Sequence, residues 1–231
     1  MPRAAEIFED AHTAGRTHLL EPEAKMVCKE YGIPVTKFFV AKTLEQALSS
    51  AEEIGFPLVL KIISPQVVHK SDVGGVVAGI YDRGALKTAY QGILASVKER
   101  SPNAEISGML VEELAPPSTE VIVGSTKDPE FGVVLMFGLG GIFVEVLKDV
   151  TFRAAPITAS DAREMLTDLK GYPILKGSRG RPPTDIEGLV EILLHVSTLV
   201  TDHPEIKELD LNPIIAYSKG AKTVDARITL E

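Results

Sequence analysis

Apolar and polar positions along this chain fall into short blocks of two kinds. Apolar residues spaced three and four apart predict amphipathic helices, and short continuous or alternating apolar runs predict strands. Glu21 to Tyr31 reads as a helix stopped by Gly32 and Pro34, and Val35 to Val40 as a strand. Thr43, with Gln46 three residues on, forms a capping box for a helix that ends at Gly55. Pro57 to Ile63 reads as a buried strand, Ser64 to Gly75 as a loop, and Val76 to Tyr81 as a strand. Asp82 caps a helix ending near Arg100. Glu105 to Glu113 and Glu120 to Ser125 read as strands around the turn Ala115-Pro116-Pro117-Ser118. Phe131 to Phe137 is a strand running into Gly138-Leu139-Gly140-Gly141. Ser160 to Leu169 and Thr184 to Val200 are helical, the second with a capping box from Thr184 and Glu187. Ile206 to Tyr217 and Thr223 to Ile228 are closing strands, and Lys176 to Pro183 reads as a mobile loop. The pattern gives α+β or α/β, and periodicity alone does not choose between them.

Composition narrows the function classes. A chain of 231 residues supports one large domain or two lobes. A net charge of -8 argues against a general nucleic-acid binder, which needs a basic face, but leaves room for a local cationic pocket. The single cysteine, Cys28, excludes an internal disulfide and a cysteine-based zinc site, and its helical setting reads as a packed thiol. Met1 to Asp10 lacks the apolar core of a signal peptide, and no run is long and apolar enough to span a bilayer. The expectation is a soluble cytoplasmic protein that engages neither membrane nor nucleic acid.

Five segments carry candidate chemistry. Lys61 is the only charge in Pro57-Leu58-Val59-Leu60-Lys61-Ile62-Ile63. It reads equally as an ammonium placed on a phosphate and as a strand-edge lysine reaching water. The loop Val67 to Gly75 joins His69 and Lys70 to the paired Gly74 and Gly75. Glycines let backbone N–H groups approach anionic oxygens, and an imidazole nitrogen can attack phosphorus. A lone loop histidine nevertheless reads first as solvent-facing. Leu110 to Leu114, followed by Glu120, is an acidic strand end whose backbone could read an adenine edge while a carboxylate such as Glu112 or Glu120 holds ribose. On its own it reads first as an exposed strand end. In Glu208-Leu209-Asp210-Leu211-Asn212-Pro213, alternation puts Glu208, Asp210 and Asn212 on one face. A neighbouring strand could add Asp225, giving the few oxygen ligands that Mg²⁺ prefers. The Gly138 to Gly141 cluster reads as a phosphate nest or simply as turns.

Taken in order, Lys61, the His69-to-Gly75 loop, Glu112 with Glu120, and Asp210-Leu211-Asn212-Pro213 with Asp225 resemble the ATP-grasp β subunits of ADP-forming acyl-CoA (acetyl-CoA) synthetases. The resemblance runs from Leu19 onward and is strongest in Ile63 to Gly75, Val111 to Pro117 and Met136 to Glu145. It implies an α+β ATP-grasp fold, two α/β lobes gripping a nucleotide. Residues 21–115 would form the N-terminal lobe with a phosphohistidine loop. Residues 1–20 and 116–231 would form the C-terminal lobe with a Mg²⁺ site. It implies Lys61, with Gly74 and Gly75, at the ADP/ATP phosphates, Glu113 and Leu114 at adenine through their backbone, Glu120 at ribose, and Asn212 and Asp225 on Mg²⁺. His69 would accept a phosphoryl group from a CoA-binding α subunit and pass it to ADP, with Asp210 orienting an imidazole, in an α2β2 heterotetramer. Succinyl-CoA synthetase β chains share the Asn-Pro segment but are longer. Two alternatives stand beside this reading: a self-contained ATP-grasp carboxylate–amine ligase, and a non-catalytic nucleotide-sensing module.

Overall fold

A computed structural model describes residues 3–141, 147–177 and 182–231. The centre of the expected 176–183 loop and the end of the Met136-to-Glu145 segment therefore lie outside the described residues. The chain divides into a large unit, Met1–Val35 with Pro116–Glu231, and a small unit, Thr36–Ala115. Residues 21–35, expected in the N-terminal lobe, fall in the large unit. The reason is packing: Ala24, Val27, Cys28 and Ile33 are buried in the core built by the C-terminal half.

The small unit contains β1 (Phe38–Ala41), α3 (Leu44–Ile54), β2 (Leu58–Ile63), a 3-10 turn (Lys70–Val73), β3 (Val76–Ile80), α4 (Arg83–Arg100) and β4 (Gly108–Glu113). Its four strands form an antiparallel sheet in the order β1-β4-β2-β3. Leu58, Leu60 and Ile62 of β2 join Ala47, Ala51, Leu86 and Ile93 of α3 and α4 in one core. Period-two alternation sends Val59 and Lys61 to the opposite face. Thr43 and Asp82 cap their helices as the sequence predicts, accepting from the N–H groups of Gln46 and Ala85. The Gln46 amide, however, reaches back to the Lys42 N–H and not to that of Thr43.

The large unit begins with α1 (Ala4–Thr13) and α2 (Glu21–Glu30). It continues with β5 (Thr119–Asp128), β6 (Gly132–Leu139), β7 (Val150–Ala154), α5 (Ala159–Thr167), α6 (Tyr172–Leu175), α7 (Ile186–Asp202), β8 (Ile206–Ala216), β9 (Ala221–Thr223) and β10 (Ala226–Leu230). The six strands run β10-β8-β5-β6-β7, with β9 on the far end of β8. Val121, Val123, Leu209, Leu211 and Ile228 face a core shared with the helices. α7 starts one residue later than the expected capping box puts it. Asp185 is the N-cap, accepting from Gly188, while the Thr184 hydroxyl donates to the Leu175 carbonyl and Glu187 pairs with Arg163. Among the described residues, no helix is long and apolar enough to cross a membrane.

The expected strand Thr223 to Ile228 is two strands. The β5–β8 register slips between Val121 and Val123, where Asn212 and Pro213 together oppose one residue. Proline has no N–H with which to continue a ladder, and such a bulge re-aims the neighbouring side chains. Opposite it, Val224 and Asp225 leave the sheet between β9 and β10.

Candidate functional site

In the small unit, β2 and β4 bring Lys61 and Glu112 onto the face away from the helices. Lys61 pairs with Leu110, and Glu112 with Val59, so the two charges sit diagonally on adjacent strands. Lys61 Nζ lies 2.9 Å from Glu112 Oε2, with the side chains 8% and 0% exposed. The buried Thr36 hydroxyl donates to Glu112 Oε1. The ambiguity over Lys61 is thereby narrowed, since it is a buried, paired cation and not a lysine reaching water. Glu112 is not an exposed strand end, because both of its oxygens are engaged within the unit.

Beyond Glu112 the strand end is also tied down. The Glu113 N–H donates to Lys37 O at 3.0 Å, and Leu114 N–H to Pro57 O at 3.1 Å. Glu113 Oε1 accepts from the Lys37 N–H. These N–H groups already have acceptors, so what the backbone can still offer an adenine amino group is carbonyl oxygen, which carries two lone pairs.

The loop after β2 is anchored at both ends and presents His69 between them. Val67 packs into the small core. Gln66 Oε1 accepts from the Glu105 N–H, and Gly75 N–H donates to Lys70 O at 2.7 Å. His69 itself is exposed, immediately ahead of the 3-10 turn. The paired glycines have packing reasons for their identity. Gly74 adopts φ +66°, and a Cβ there would stand 2.4 Å from Ser96 Oγ of α4. A Cβ on Gly75 would meet Ile62 Cγ2 at 2.5 Å. Gly140 likewise abuts Glu120, and its N–H donates to Glu120 O at 2.8 Å.

In the large unit the face of the sheet away from the helices bounds a cavity of about 380 Å³. Its lining includes Glu208, Asp210 and Asn212 from β8, together with Arg227 and Thr229 from β10. Alternation along β5 puts Glu120 on this same face, two positions before Ile122. Asp210 stands directly across from Arg227 on β10 and from Gly124 on β5. Desolvation pushes the Asp210 carboxyl above its ordinary value; Arg227 opposes this shift and Glu208 adds to it. At the bulge, Asn212 N–H donates to Asp225 O at 3.2 Å, so the two proposed metal ligands are adjacent through their backbones. An amide and a carboxylate oxygen fit a hard ion that takes most of its remaining shell from phosphates and water. Sequence reasoning missed Arg227, although the alternation Ala226-Arg227-Ile228-Thr229-Leu230 carried the signal. Cys28 is fully buried, and desolvation raises its thiol to about 12, as expected for a packed thiol.

The chain matches the ATP-grasp domain family over residues 10–230. The β subunit of the ADP-forming acetate–CoA ligase II of Pyrococcus furiosus is 52% identical over 231 residues, covering 99% of this chain and 98% of the relative. A structure of the dinucleotide-forming acetyl-coenzyme A synthetase 1 of Ca. Korarchaeum cryptofilum, in complex with coenzyme A, Ca-AMPCP and HgCl+, matches with TM-score 0.96 at 50% identity, covering 99% of this chain and 100% of that one. Another structure of that enzyme holds coenzyme A and Mg-AMPPCP, with its phosphohistidine segment pointing towards the nucleotide binding site. It matches with TM-score 0.87 at 46% identity, covering 99% and 100%. The chain belongs to the ATP-grasp family and, within it, to the β subunits of ADP-forming acetate–CoA ligases. The expected ATP-grasp fold, the ligase class and the nucleotide-binding character are thereby borne out.

Proposed function

We propose that this chain is the nucleotide-binding subunit of an enzyme that interconverts acyl-CoA, ADP and phosphate with acid, ATP and CoA. His69 relays the phosphoryl group. The observation that carries this reading is an exposed imidazole on a loop pinned at both ends, in the same unit as a buried, pre-paired lysine. A CoA-binding α subunit supplies the phosphoryl group, and the assembly is α2β2.

In the transfer step an oxygen of the ADP β-phosphate attacks the phosphorus held on the His69 imidazole. A P–O bond forms, the P–N bond breaks, and the ring nitrogen keeps the electron pair. Catalysis of such a step is chiefly alignment and charge neutralisation. Lys61 neutralises nucleotide phosphate charge, and Glu112, fixed by Thr36, holds its ammonium in place. The backbone at Glu113 and Leu114 meets adenine, Glu120 holds ribose, and the Gly74-Gly75 turn shapes the loop beside the phosphates. Asn212 and Asp225 would hold Mg²⁺, which supplies further neutralisation of phosphate charge when bound. Asp210 polarises the imidazole.

Substituting His69→Ala, assayed with the α subunit present, abolishes ATP formation and leaves Mg·ADP binding by calorimetry unchanged. An acid-labile, base-stable label from radiolabelled ATP is lost in the same variant. Full turnover by His69→Ala would refute the relay.

A further inference from the structure

The cavity on the open face of the large sheet is lined by a cation to which the roles above give no part. Arg227 is exposed, lines the cavity, and among the described lining residues is the only cation. Its cross-strand neighbour is Asp210, yet among the described residues it makes no hydrogen bond or ion pair. The Thr229 hydroxyl, two positions on along the same strand and face, is buried without a hydrogen-bond partner. Buried polar atoms are ordinarily paired, so an unpaired hydroxyl on the strand face that also carries Arg227, whose guanidinium feels the Asp210 charge but makes no hydrogen bond, marks a place built for an acceptor from outside the chain. The remaining charged groups on the cavity wall, Glu208 and Asp210, are both acidic. A phosphate approaching them would be repelled without a cation on the protein, and a guanidinium forks onto two phosphate oxygens where an ammonium acts as a point charge.

We propose that Arg227 is a further catalytic residue of the transfer reaction, its guanidinium binding non-bridging oxygens of the phosphoryl group that ADP receives. The inference rests on the phosphoryl-transfer reading above. In the step, Arg227 forms and breaks no covalent bond. It donates N–H bonds to the equatorial oxygens over which the charge of the transferring group is spread as the P–N bond breaks and the P–O bond forms. Such a contact strengthens in the transition state, so it acts on kcat more than on KM.

The test uses the complete complex with its α subunit. Arg227→Gln lowers kcat for ATP formation by about 1,000-fold or more, the size seen for arginines at transferring phosphoryl groups, while KM for ADP changes less than about threefold. Arg227→Lys, which keeps the charge and loses the fork, recovers part of kcat. Single-turnover transfer of label from the phosphorylated complex to ADP slows to match. If Arg227 only braces the β8–β10 pair, Arg227→Gln lowers the melting temperature and leaves kcat intact, which overturns the proposal. Equal turnover by wild type and Arg227→Gln overturns it as well. His69→Ala run alongside separates the two readings. If that variant turns over normally, the relay itself fails; if it is inactive while Arg227→Gln is normal, only the role of Arg227 fails.

Discussion

The small and large units solve the same problem differently. In each, an antiparallel sheet packs its helices on one face and carries its reactive side chains on the other. In the small unit those charges are already satisfied. Glu112 is buried with one carboxylate oxygen ion-paired to Lys61 and the other accepting from Thr36. In the large unit they are left open: Glu208, Asp210, Asn212 and Arg227 are exposed along a cavity. A buried charge needs a protein partner, because desolvation is otherwise prohibitive, whereas an exposed one can wait for a ligand. The small unit thus holds a pre-positioned cation, and the large unit a polar floor that a metal and phosphates can complete.

That contrast is sharpest in stability measurements. Lys61→Met leaves Glu112 buried without its cation and should destabilise the protein by about 3–5 kcal/mol in denaturant unfolding. Adding Glu112→Leu should recover much of that loss, because replacing both partners of a buried pair with apolar groups is often neutral. If the single variant were as stable as wild type, the small unit's charges would be no more constrained than the large unit's. Thr36→Val removes one donor to the same carboxylate and should cost about 1–3 kcal/mol, with Thr36→Ser restoring most of it.

The large unit should respond weakly to the corresponding change. Asp210→Asn should alter stability by no more than about 0.5 kcal/mol at acidic pH, as for exposed sites, while impairing turnover. Its pH dependence has a definite sign. The folded chain holds the Asp210 proton more tightly than the unfolded chain does. The favourable contribution is therefore complete below the ordinary value of 3.8 and is lost as pH rises through the raised native value. The melting temperature of Asp210→Asn should accordingly gain on wild type as pH rises from 3.8 upward. A gap that shrinks over that range would contradict the assigned desolvation. The smallest effect belongs to the large unit's interior. Cys28, buried with its thiol raised to about 12, should not react with a thiol reagent at neutral pH until the chain is unfolded.

Several elements were legible because their signals are local. Thr43 and Asp82 act through an N–H three residues away, so capping is written in adjacent letters. The Thr184–Glu187 box was misread because Asp185 competes for the same helix start and, unlike Thr184, also reaches the Gly220 N–H at 2.7 Å. The capping pattern contains no record of Gly220, which arrives from another loop.

The sequence by itself determined which side chains share a face. The alternation in Leu58 to Ile63 and in Glu208 to Asn212 follows from the two-residue period of a strand, a property of the local backbone. Tertiary structure decided who meets whom. Lys61 with Glu112, Asp210 with Arg227 and Asn212 with Asp225 are brought together by strand register and by a bulge at a proline. It also decided that residues 21–35 pack with the C-terminal half, since the apolar face of α2 carries no mark of which core will bury it. Register and core assignment depend on the summed burial of distant segments, and no window of neighbouring residues contains that sum.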